Sequence, residues 1–181
     1  MSTLNLNNGV HYLFDLKSKE SMHLYYAVKN RHGHVLDNRE EFINQVIDNI
    51  KIFIEKYDFV VFPESSSDFI EKIVLGCNVR YIKVAKNSLE CIKEKSQDFN
   101  LQKAERSSHN ERISNMQNSF KINAMKATQR LKYKDVLFQK IDKQLLTGKG
   151  LIIDDSHFSG TTFSALMDAT NIKDCLAIFS K

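Results

Sequence analysis

Two rhythms of apolar and polar positions run along the chain. Over Val10-His11-Tyr12-Leu13-Phe14-Asp15-Leu16 and His23-Leu24-Tyr25-Tyr26-Ala27-Val28, aromatic and branched residues crowd between polar breaks, and Arg31-His32-Gly33-His34 reads as a turn. These segments predict strands of a small antiparallel unit, residues 1–37, at the edge of a main fold or over it as a hood. From Asn38 the rhythm changes. Phe42, Val46, Ile47, Ile50, Phe53 and Ile54 recur at the spacing of one helix face, with Asn38 placed to cap it and Glu40 and Glu41 near its positive end. Phe59-Val60-Val61-Phe62 is the unbroken apolar run of a strand covered on both faces. Phe69, Ile70, Ile73 and Val74 continue as a helix closed by Gly76. Strands follow at Val79–Val84 and Leu151–Ile153, then a helix over Thr161–Ala169 and a strand at Cys175–Phe179.

This alternation predicts an α/β core over residues 38–181, with a mostly parallel sheet flanked by helices and right-handed crossovers. Residues 85–150 are too long for a plain crossover and mainly helical in pattern. Such an insertion is expected to be a lid or a binding element.

Composition narrows the class. The chain has 181 residues, 42% of them hydrophobic, too apolar for a disordered segment and short enough for one domain. No apolar run approaches the roughly 18 residues of a membrane span, and the first eight residues lack the basic start and apolar stretch of a secretory leader. The three cysteines, Cys77, Cys91 and Cys175, are scattered and in no metal-like spacing, so a reduced cytoplasmic setting without membrane association is expected. The net charge of +4 is unevenly placed: residues 101–134 carry eight basic side chains against Glu105 and Glu111. That density attracts phosphate esters, diphosphate or nucleic acid, and equally suits a solvated helix face.

The densest chemistry lies in Leu151-Ile152-Ile153-Asp154-Asp155-Ser156-His157-Phe158-Ser159-Gly160-Thr161-Thr162. A buried strand delivers two adjacent carboxylates, and a hydroxyl-Gly-hydroxyl-hydroxyl turn opens a helix. The hydroxyls of Ser159, Thr161 and Thr162 can donate hydrogen bonds, Gly160 permits close backbone approach, and a helix N-terminus favours negative charge. A phosphate pocket beside a diol-binding pair of acids suits a sugar phosphate. Pro63-Glu64-Ser65-Ser66-Ser67-Asp68, directly after the first core strand, offers further donors to an anion, although Ser and Asp are also ordinary helix caps.

The segment Leu151–Thr162 resembles the 5-phosphoribosyl-1-pyrophosphate (PRPP) motif of type I phosphoribosyltransferases: four apolar residues, two acids, spacers, then Ser or Thr, Gly, any residue and Thr. Ser156-His157 depart from it, since the family commonly has apolar residues there. The order of strands and helices extends the similarity from Asn38 onward, but covers neither the N-terminal segments nor the insertion. The resemblance implies that Asp154 and Asp155 are catalytic and hold the ribose hydroxyls, and that Ser159, Gly160, Thr161 and Thr162 bind the 5-phosphate. It also implies pyrophosphate contacts from Glu64, Ser65, Ser66, Ser67 and Lys83, with Lys86 close by, and Mg2+ arriving on the substrate rather than on direct protein ligands. Lys103, Arg106, His109 and Arg112 of the insertion are candidates for a closing lid.

The activity so implied moves a 5-phosphoribosyl group from PRPP to a nitrogen acceptor with release of pyrophosphate. The acceptor is not readable; Tyr12, Phe14, Tyr25 and Tyr26 are candidates to stack on it and equally candidates for packing. Two other classes stay open: a non-catalytic PRPP or nucleotide sensor of the same fold, and a nucleic-acid binder using the basic insertion. A homodimer through the apolar helix Phe42–Ile54 is a further expectation.

Overall fold

The computed structural model describes residues 4–97, 99, 101, 103–116, 120 and 122–181, the side chains of residues 103, 104, 123, 127 and 128 excepted. Six strands form one sheet: β1 (Asn5–Asn7), β2 (Val10–Asp15), β3 (Phe59–Pro63), β4 (Tyr81–Val84), β5 (Gly150–His157) and β6 (Cys175–Ser180). Their order is β1-β2-β6-β5-β3-β4. β1 and β2 are antiparallel, and the other neighbouring pairs are parallel. The expected α/β class with a mostly parallel sheet is therefore present, and its central strands are the unbroken apolar runs. Every residue of β3 and β6 is buried.

Alternation along these strands sends consecutive side chains into two cores. On one face Val60, Phe62, Leu151, Ile153, Leu176 and Ile178 pack under α1 (Lys19–Val28), α2 (Arg39–Ile54) and α3 (Phe69–Gly76). On the other, Phe59, Val61, Ile152, Cys175 and Ala177 meet α4 (Leu89–Ser96), α5 (Lys103–Ser114) and α7 (Thr161–Thr170). The insertion continues between α5 and β5 through α6 (Ala127–Arg130) and 3₁₀ turns at Ile122–Ala124, Leu131–Tyr133 and Lys143–Leu145. Tyr133, fully buried, anchors that stretch to the second core.

The N-terminal region departs from the expected strand unit in two ways. His23–Val28 is the second half of a helix. An aromatic run this short does not distinguish strand from helix by periodicity. Local chemistry decides it: the Ser18 side chain accepts the Ser21 N–H at 3.1 Å, capping α1, and Tyr25 and Val28, three apart, enter the first core together. Val10–Asp15 is a strand, but it joins the main sheet parallel to β6, with Val10 opposite Cys175 and Phe14 opposite Phe179. Only β1 and β2 form a hairpin. Asn8 and Gly9 turn it, both at positive φ, as a two-residue hairpin turn requires.

The apolar stripe of α2 is covered by its own sheet and by α3. Ile43, Val46, Ile50 and Ile54 are buried, and Phe42, Ile47 and Phe53 pack against the same core. Phe42, Ile47 and Phe53 of the face expected to meet a second copy are only partly buried by these contacts.

Replacing Ser18 by Ala is expected to lower stability by about 1 kcal/mol, while Ser18→Asp keeps it, because either oxygen-bearing cap satisfies the first turn of α1. Urea denaturation of the two variants checks this; a strand at 23–28 would leave both unchanged.

Candidate functional site at the sheet switch point

The chain passes from β3 through α3 to β4 on one side, and from β5 through α7 to β6 on the other. β3 and β5 are neighbours, with Phe59 opposite Gly150 and Val61 opposite Ile152. The strand order reverses between them, and open α/β sheets bind ligands in the crevice beyond the carboxyl ends of such a pair. The Pro63–Asp68 turn and the β5–α7 junction both stand there.

At the junction, Gly160 takes φ +69° and ends the extended chain, so that α7 begins at Thr161. Its own carbonyl accepts from Ser164 at 2.8 Å, the first bond of the helix. No side chain caps α7, and among the described residues no protein acceptor meets the amides of Thr161, Thr162 and Phe163. Three unmet N–H groups at the positive end of a helix make an anion site. Ser159 Oγ and Thr161 Oγ1 are 3.1 Å apart and pre-position each other. His157 lies under the turn, edge-on to Phe163, with Nε2 3.3 Å from where a Gly160 Cβ would stand. Burial lowers its pKa from the ordinary imidazole value. This explains the departure from the apolar pattern: His157 packs beneath the glycine.

The two acids do not act as a pair on one face. β5 continues to His157, so both lie within a strand and alternate. Asp154 is in register with Ala177, on the α7 face. Asp155 turns toward α1 and forms a buried ion pair with Lys29. Its other oxygen accepts from Ser156 Oγ at 2.7 Å, and Ser156 Oγ is 3.3 Å from the Tyr25 hydroxyl. The two carboxylates expected to hold one ribose thus leave the strand toward opposite faces: Asp155 pairs with Lys29, and Asp154 shares its face with the open end of α7. Among the described residues, Asp154 accepts one hydrogen bond, from the Asp155 N–H at 2.7 Å. Burial first, then the Asp155 charge, push its pKa up to about 7, against the opposing pull of Lys29 and Lys86. Lys86, exposed after β4, is the second of those cations.

In the Pro63–Asp68 turn, Ser65 Oγ accepts the Ser67 N–H and Ser67 Oγ accepts the Phe69 N–H, each at 3.3 Å. Both hydroxyls act as acceptors there, which leaves their own O–H groups to donate. Ser66 is exposed, 3.5 Å from Arg31 Nη2, and Glu64 is exposed with its amide bound to the Val84 carbonyl. Lys83 points elsewhere: its Nζ is 2.8 Å from Glu71 on α3. Arg31, in the turn after α1, is the cation beside Ser66, while Arg39 and Lys72 pair with Asp68 at the far end of the loop; neither Arg31 nor Lys29 carries a sequence signal beyond being basic.

The insertion residues engage one another. His109 is buried, stacked on Tyr133 at 5.8 Å, with its Nδ1 3.1 Å from the tyrosine hydroxyl. Arg112 donates to the Ala124 carbonyl at 2.7 Å, Lys134 pairs with Asp168, and Arg106 is exposed. The side chain of Lys103, and Lys121 of the basic stretch, lie outside what the structure describes. Of the N-terminal aromatics, Phe14 packs on Phe42 and Phe179, and Tyr25 on Phe158 and Phe179. Tyr26 stacks on His34.

Among the described residues, no three His, Cys, Asp or Glu side chains are grouped to hold a metal ion. Asp154, Glu64 and Asp68 stand on the elements that border the crevice, and carboxylate oxygens are the kind of donor magnesium takes. No family model, curated protein or solved structure matches the chain.

Lys29→Met should destabilise the fold by about 3–5 kcal/mol by leaving the Asp155 charge buried alone, and Lys29→Met/Asp155→Leu should recover most of that loss; chemical denaturation of the three proteins tests the pairing. For Asp154 the folded pKa is above the ordinary 3.8, so the folded state holds the extra proton and the carboxylate's stability contribution falls as pH rises from 3.8 to about 7. The stability of Asp154→Asn relative to the native protein should accordingly climb over that interval and level off above it, read by urea denaturation at stepped pH.

Proposed function

We propose that the crevice between the ends of β3 and β5 binds PRPP and that the protein is a type I phosphoribosyltransferase, moving the 5-phosphoribosyl group to a nitrogen nucleophile. The observation carrying this reading is that Asp154 and the three open amides of α7 share one face at one end of β5, beside the switch point. A sugar phosphate spans such a pair: phosphate on the amides, hydroxyls on the acid.

In this reading Thr161, Thr162 and Phe163 donate backbone N–H groups to the 5-phosphate, with Ser159 and Thr162 hydroxyls alongside and Gly160 giving clearance. Ionised Asp154 accepts from the ribose hydroxyls and favours the positive charge that develops on the ring as the anomeric bond breaks. The serine turn and Arg31 face the leaving diphosphate, where Lys83 was expected and is instead held by Glu71. A magnesium ion bound to the diphosphate would neutralise its charge. Asp155 becomes a positioning residue, acting through Lys29 and Ser156. A sensor of the same ligand is the second reading, favoured by that buried ion pair, which removes one carboxylate from the ribose.

Thermal denaturation with PRPP, with and without magnesium, separates these outcomes. Ligand at a hundred times its dissociation constant stabilises by about 2.7 kcal/mol. A shift with pyrophosphate release on adding a nitrogen acceptor supports the transferase; a shift without release in a broad acceptor screen supports the sensor; no shift removes both. For the transferase, kcat/KM should rise with pH through about 7 as Asp154 ionises. Asp154→Asn should lose that rise and about a hundredfold or more in turnover.

A further inference from the structure

The insertion contains a cleft of about 570 Å³ between α4 and α5, lined among others by Lys93, Gln97, Phe99, Arg106, His109 and Asn110. It shares no lining residue with the crevice at β3 and β5, and its volume falls in the range of about 300–1,000 Å³ typical of small-molecule sites. We propose that this cleft binds a nucleotide-sized anion carrying a flat ring, a free nucleoside monophosphate in kind.

Three observations converge on that chemistry. Two cations border the cleft, half-buried Lys93 from α4 and exposed Arg106 from α5; among the described residues neither is paired with an acid, and no acid lines the cleft. The local field is positive enough to act within the fold: after burial, Arg106 and then Lys132 lower the His109 pKa. The wall is aromatic and fixed. Phe99 stands edge-on to His109 at 6.0 Å and to Tyr133 at 5.0 Å, while Tyr133 stacks on His109 and packs on Phe120. A rigid ring surface with polar amides from Gln97 and Asn110 accepts a base, and the two cations accept its phosphate. A ligand with only one of these parts leaves half the lining unmet.

The test uses the full chain titrated calorimetrically with adenosine, guanosine, cytidine and uridine 5′-monophosphate in turn. Inorganic phosphate, the matching nucleosides and a 5′-phosphorylated single-stranded decanucleotide serve as comparison ligands. At least one monophosphate should bind, about tenfold or more tighter than phosphate or its nucleoside. Arg106→Gln and Lys93→Gln, both at the surface, should each weaken it about tenfold or more without changing the melting temperature of the free protein. Gly160→Ala, at the separate crevice, should leave this binding unchanged. Failure of all four monophosphates to bind at millimolar concentration overturns the proposal. So does affinity indifferent to Arg106 and Lys93, affinity lost with Gly160→Ala instead, equal binding of bare phosphate, or tighter binding of the decanucleotide.

Discussion

Everything at the switch point follows from a strand that carries two consecutive carboxylates into a sheet buried on both sides. A pleated strand cannot present neighbours to the same face. Each acid must therefore be accommodated separately. Asp155 is balanced by Lys29, delivered from the end of α1, and braced by Ser156 and Tyr25. Asp154 has no cation in contact among the described residues, and its proton affinity is raised by burial and by its neighbour's charge. Two chemically identical residues thus become a structural anion and a group whose charge depends on the solution, and only the second faces the helix that can hold an anion.

How much of this the sequence discloses depends on whether a pattern is local. β3, β5 and β6 are continuous apolar runs because both faces are covered, and α2 and α3 show the period of a single packed stripe. These were readable. The segment His23–Val28 was not, because Leu24-Tyr25-Tyr26-Ala27-Val28 fits either period and the deciding signal, the Ser18 cap, stands five residues upstream. The Asn8-Gly9 dipeptide does announce the hairpin, yet nothing local states that its second strand will lie parallel to residues 175–180. Partner choice in a sheet is a long-range property.

The site divides along the same line. Gly160 with the hydroxyls around it is a contiguous motif, and the open helix end it predicts is where the chain order places it. The pairing of Asp154 with Asp155 was inferred from adjacency, which in a strand means separation. Lys29 and Arg31 reach the site only because a helix stands where a strand was expected, so no reading of residues 151–162 could have found them. Lys83 illustrates the converse: it lies within β4 itself, and the first turn of α3 offers it Glu71.

β6 lies between β2 and β5, near opposite ends of the chain in sequence. During synthesis, both flanking strands must wait with unsatisfied edges until residues 175–180 leave the ribosome, and the central row of hydrogen bonds closes only then. A topology so dominated by distant pairings folds slowly and passes through forms with open strand edges. For this chain, a nascent intermediate is the state most exposed to aggregation and most in need of a chaperone.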